Sequence, residues 1–178
     1  MCHFITATLP AGLSSEAVET IARNHGRNWL SASNKYVARH LDDGEQYFYT
    51  TRGHCDCGTS LGSSRAGDKD ESKLAKQLKK LRRKGWSEAK IDRWLKDKEK
   101  ARSNRPEPEN DAAIWVALID KVLESTDAKY VGLLLHFYSG DLNDEQIAIS
   151  HVETVRRSEL TEDHLRAIHE DVLYRFHA

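Results

Sequence analysis

With 178 residues, 39% of them hydrophobic and 31% charged, the chain can bury a real core, which excludes a disordered polymer. No apolar run approaches the ~20 residues that cross a bilayer. The first residues lack the basic and long apolar stretches of a secretory signal, so the expected location is the cytoplasm. Lys and Arg total 27 against 28 Asp and Glu, but residues 65–105 hold 16 basic and 7 acidic side chains. A strongly basic segment therefore sits within an acidic remainder, a pattern that marks a nucleic-acid contact or an electrostatic docking surface.

Residues 2–9, CHFITATL, are rich in β-branched and aromatic side chains and stop at Pro10, so they read as a strand. SSEAVETIARNHG (14–26) has a Ser cap, an early Glu, an apolar stripe and a closing glycine, the pattern of a short amphipathic helix. KYVARHL (35–41) and EQYFYTT (45–51) flank DDG and are expected to form a hairpin. From Asp68 the period becomes helical. Leu74, Leu78 and Leu81 share one face, Gly85 closes that helix, and Ser87 caps a second with Ile91, Trp94 and Leu95 as its stripe. Two prolines in NRPEPEN (104–110) end this pair. Asn110 is placed to cap DAAIWVALIDKVLEST, which is apolar enough to be the central core helix.

KYVGLLLHFYSG (129–140) is the most hydrophobic strand and is expected mid-sheet. EQIAISHVETV (145–155) alternates and is expected to pair with it across DLND. TEDHLRAIHEDVLYRFHA (161–178) carries Leu165, Ile168, Val172 and Phe176 at helical spacing and reads as a closing helix. The expected fold class is α+β: a mostly antiparallel sheet of about five strands with helices packed on it. It forms one domain over 1–178, with 68–103 as an inserted basic helical hairpin.

The chain has only three cysteines, an odd number and too few for a disulfide framework. All three sit beside histidine: Cys2 in MCHF, and Cys55 and Cys57 in RGHCDCGTSLGSS (52–64). In a reducing compartment, such residues point to metal binding or thiol chemistry. A βαβ start, followed by an antiparallel third strand, would bring Cys2 and the Cys-x-Cys turn to one sheet edge. Cys2, Cys55 and Cys57 with the imidazole of His54 then make a tetrahedral set for zinc, His3 being the substitute nitrogen ligand. His3 ranks second because it alternates to the opposite strand face from Cys2. Gly53 and Gly58 are expected to let the turn bend around an ion, and GTSLGSS (58–64) resembles an anion nest.

Three functional readings follow. The first is a non-catalytic cytoplasmic binding or regulatory protein with a Cys/His metal-type site, a toxin-neutralising (immunity-type) protein being one example. Its partner is another protein, or a second copy of the chain, met through Lys76, Lys79, Lys80, Arg82, Arg83, Lys84 and Trp86. The second is a thiol-dependent amidohydrolase in which Cys2, exposed by loss of Met1, is the N-terminal nucleophile. The third is nucleic-acid binding through the basic hairpin 73–102, with Trp86 and Trp94 stacking on bases. Interspersed acids near Lys90 and Lys96, and the near-neutral net charge of -1, favour a protein partner over nucleic acid. No membrane partner is expected.

Overall fold

The computed structural model describes residues 2–63, 78–79, 81–83, 85–103 and 109–178. The chain forms two compact units, residues 1–63 with 109–178, and residues 64–108. The first is an α+β unit built on a six-stranded, mostly antiparallel sheet. Its strands are β1 (Cys2–Leu9), β2 (Leu30–Ser31), β3 (Gln46–Tyr49), β4 (Tyr130–Tyr138), β5 (His151–Arg156) and β6 (Val172–His177), in the order β2-β3-β1-β4-β6-β5. Only β5 and β6 run parallel. Helices α1 (Ser15–Asn24), α2 (Ser60–Ser63), α4 (Asp111–Ser125) and α5 (Glu162–Ala167) belong to this unit. Helix α3 (Glu88–Ser103) belongs to the second.

Strand alternation divides the core between the two faces of the sheet. Ile5, Ala7 and Leu9 of β1 and Val131, Leu133 and Leu135 of β4 meet Val18 and Ala22 of α1 and Trp115, Leu118 and Ile119 of α4. On the other face Leu134, Tyr138, Tyr47 and Leu173 pack with Val37, Ile147 and Ile149 from irregular segments. Burial on both faces explains the near-continuous apolar sequence of β4, which lies between β1 and β6 as its composition predicts.

Three expectations are corrected. Residues 35–41 form no strand. The Asn34 side chain accepts the backbone N–H groups of Tyr36 and Val37, at 2.8 and 3.2 Å, and starts a turn that runs into a 3₁₀ helix at Ala38–His40. The closing helix is only Glu162–Ala167, and β6 follows it. Val172 and Phe176 are four residues apart, so helical and strand periods both place them on one face. The intervening Tyr174 joins the same core while Leu173 joins the opposite one, which only a strand permits. β5 does not pair with β4, because β6 lies between them. The sheet accordingly has six strands where about five are expected.

The first helix of the basic pair, as read from Leu74, falls largely outside the described residues. So do Lys76, Lys80, Lys84 and Met1. The expected second helix is α3, with Ile91 buried and Trp94 and Leu95 half-buried.

A buried ionic tie joins the elements around the start of β1. Arg27 donates to Asp56 Oδ1 at 2.6 Å and to Asp111 Oδ2 at 2.8 Å, and all three residues are at most 4% exposed. Asp56 Oδ2 also accepts from the Ile5 N–H and the Thr51 hydroxyl. Asp111 Oδ1 accepts from Ser60 Oγ and the Leu61 N–H. The guanidinium lies 4.7 Å from the centroid of the Trp115 ring. Removing one member of such a network leaves the others buried and unpaired, at a cost of about 3–5 kcal/mol. Arg27→Met should lower the unfolding free energy by about that much in urea titrations. Arg23→Ala, which breaks the exposed Arg23–Glu19 pair, should change it by less than about 1 kcal/mol.

Candidate metal centre

The route of the chain past β1 assembles the cysteines. β3 pairs antiparallel with β1, Tyr49 standing opposite Thr6, so the chain leaving β3 runs towards the beginning of β1. The Thr50 hydroxyl donates to the Ile5 carbonyl at 2.6 Å and the Asp56 N–H to the His3 carbonyl at 2.8 Å. The Asp56 carboxylate is held inside the protein by Arg27, Ile5 and Thr51. With Asp56 fixed inward, Cys55 and Cys57 flank it on the side of Cys2. The three sulfur atoms lie within 4.8 Å of one another and can hold a metal ion. Cys2 and Cys55 are half-buried and Cys57 is exposed, and all three are free thiols.

The sulfurs meet by a different route from the one expected. β1 is not part of a parallel βαβ unit; it lies directly between β3 and β4, antiparallel to both. The start of β1 still faces the segment after β3, because antiparallel neighbours bring one strand's start beside the other's end.

The nitrogen ligands behave differently. His54 is exposed and does not join the sulfur group within that distance. His3 contributes its main chain, its N–H donating to Cys57 Sγ at 3.1 Å, while its Nε2 is 2.9 Å from Glu170 Oε1. Among the described residues the group contains sulfur alone.

Cys55 and Cys57 ionise unequally. Burial works against ionisation of Cys55, yet hydrogen bonds from the Cys57 N–H and from the thiols of Cys2 and Cys57 bring its pKa below the ordinary thiol value. Burial pushes Cys57 up to about 11. The His3 N–H opposes that rise, while the hydrogen bond and charge of Cys55 and the charge of Cys2 add to it. Of these two neighbours, Cys55 therefore forms its thiolate before Cys57.

The Gly-rich segment serves packing. Gly53 and Gly58 avoid left-handed backbone angles and have open space where a Cβ would stand, so neither is required for a tight bend. Gly62 of α2 is required: a Cβ there would stand 2.0 Å from the Asp56 carbonyl oxygen. The N–H groups of this segment have protein acceptors, Ser60 bonding to the Glu109 carbonyl, Leu61 to Asp111 and Gly62 to Thr59 Oγ1. These three N–H groups are therefore taken up within the protein. The role of Gly62 was hidden in the sequence, because a close approach between residues six apart has no periodic signature.

Cys55 also forms part of the wall of a cavity of about 250 Å³ with His25, Arg52, Gly53, Thr59 and Glu109, above the Arg27 tie. Arg52 and Glu109 are paired at 2.5 Å and both are exposed. His25 Nδ1 lies 2.8 Å from the Ile21 carbonyl, so in the neutral ring Nδ1 is the donor and Nε2 the acceptor.

The other candidate residues are partly engaged already. Arg82 makes two hydrogen bonds to Glu88, at 2.9 and 3.2 Å, and the Lys90 ammonium sits 4.3 Å from the centroid of the half-buried Trp86 ring. One face of that ring is thus covered by a lysine. Lys79 and Arg83 are exposed. His136 and His151 form no pair, since β6 separates their strands. His136 bonds to Asp171 through Nδ1 at 2.5 Å. Among the described residues, no helix is long and apolar enough to cross a membrane. Comparison with protein-family models, curated proteins and solved structures returns no match.

Two outcomes test this geometry. In metal-free protein near pH 8, iodoacetamide should label Cys55 before Cys57, although Cys57 is the more exposed; peptide mapping of a time course reads the order. Gly62→Ala should lower the melting temperature and erase that order, because it displaces the Asp56 carbonyl between the two cysteines.

Proposed function

We propose that the protein is a non-catalytic, metal-dependent binding or regulatory protein in which Cys2, Cys55 and Cys57 hold a zinc ion. The convergence of three sulfurs from opposite ends of the stretch 2–57 carries this reading. Two sulfurs bound at about 2.3 Å to one tetrahedral zinc stand about 3.8 Å apart. The observed spacing, at most 4.8 Å, needs only a small contraction. The soft donor set selects zinc or another thiophilic ion over calcium or magnesium. Thiols must stay reduced to serve as ligands, so the cytoplasm is the compartment this reading requires.

Two observations support a binding role over the thiol-hydrolase alternative. The sulfur of Cys2 is grouped with two other sulfurs, a setting suited to sharing an ion. The N–H groups of Ser60, Leu61 and Gly62, which a hydrolase could turn to an oxyanion, are occupied by Glu109, Asp111 and Thr59. The coverage of Trp86 by Lys90 and the Arg82–Glu88 pair likewise favour a protein partner over stacked nucleic-acid bases.

Full-length protein purified without a chelating tag should carry about one equivalent of zinc by elemental analysis. Serine at any of the three cysteine positions should abolish it. Cys57, with its pKa near 11, must lose a proton on binding. Affinity in competition titrations should therefore rise at least about tenfold per pH unit between pH 6 and 8. A metal-free protein that binds zinc no better than its Cys57→Ser variant would refute the reading.

A further inference from the structure

We propose that an ion held by the three thiolates keeps its fourth coordination position open to the cavity beside Cys55, where it takes a small, neutral nitrogen donor in exchange for water. The inference rests on the metal reading above and goes beyond it by naming the occupant of the fourth position.

Zinc prefers four ligands, and sites with three protein ligands complete the set with an exchangeable molecule. The protein supplies three sulfurs within 4.8 Å of one another, and among the described residues no imidazole or carboxylate joins them. His3 is turned to Glu170, and His54 stands exposed outside the group. Cys55 belongs both to the sulfur cluster and to the cavity wall. The cavity, about 250 Å³, far exceeds the ~10–15 Å³ that one water needs, so it admits a molecule the size of imidazole.

Charge decides the class of ligand. A divalent ion with three thiolates carries a net charge of −1. Arg27 with Asp56 and Asp111, which also line the cavity, add a further buried −1, and Arg52 is neutralised by Glu109. An anionic donor would enter against two negative charges in a partly desolvated setting, whereas a neutral one meets no such penalty. Around the rim, His25 in its neutral form presents Nε2 only as an acceptor, so it suits a ligand bearing an N–H.

Cobalt(II) is the probe, because its visible bands report coordination while it occupies zinc sites. Full-length protein loaded with one equivalent should show sulfur-to-cobalt charge transfer. Imidazole should then shift the d–d bands saturably, and sodium azide at the same concentration should not. The same response is expected in His54→Ala; in His25→Ala, which lacks the rim acceptor, the shift should persist but need more imidazole to saturate. Bands indifferent to imidazole in the parent protein but responsive in either variant would show that this histidine fills the position, overturning the proposal. Indifference in all three, or a stronger response to azide, would overturn it as well. Each of these failures leaves the thiolate site standing. A chain that takes up no cobalt overturns both readings together.

Discussion

Burying two carboxylates on one guanidinium is costly, and the protein meets that cost by using every acceptor they offer. Arg27 takes one oxygen of each, and the other two oxygens accept the N–H groups of Ile5 and Leu61 and the hydroxyls of Thr51 and Ser60. The result is a charge-assisted junction between β1, the segments after α1 and β3, α2 and the first residue of α4. These elements share little sequence, and the junction fixes their distances. Its consequence for chemistry is local. Asp56 is the residue between Cys55 and Cys57, so its inward anchoring sets where both sulfurs stand relative to Cys2.

Anchoring by one carboxylate also explains why the thiols differ. A symmetric Cys-x-Cys turn in water would give two similar pKa values. Here the Cys57 sulfur accepts the His3 N–H at the strand edge, while Cys55 accepts from both neighbouring thiols. Burial raises Cys57, and once Cys55 carries the charge its field adds to that rise. A cation reverses that penalty, because positive charge among the sulfurs favours all three thiolates at once.

Much of this was legible in the sequence, and what was not has identifiable causes. The juxtaposition of Cys2 with Cys55 and Cys57 follows from an antiparallel return past β1, although the parallel crossover used to infer it does not exist. Either topology returns the chain to the same sheet edge, so the sulfurs converge under both. Residues 35–41 looked like a strand because Tyr36 and Val37 favour one, but the Asn34 side chain captured their N–H groups first. Val172 and Phe176 fit helix and strand alike, and the choice was made by tertiary packing on both faces of the sheet. The buried partners Arg27 and Asp111 were invisible for another reason. Charged residues separated by 84 positions carry no local sign that they will meet, and composition alone places them at the surface.

The arrangement separates what holds the fold from what can bind an ion. In small zinc domains the metal supplies the folding energy, and the apo chain is unfolded. Here the ionic tie, the sheet register and two apolar clusters already order the segment that carries Cys55 and Cys57. A metal bound at this site would add its binding energy to these interactions, by an amount set by the free ion concentration and the affinity. The separation arises because Asp56 is bonded to the interior, while Cys55 and Cys57 on either side of it are half-buried and exposed.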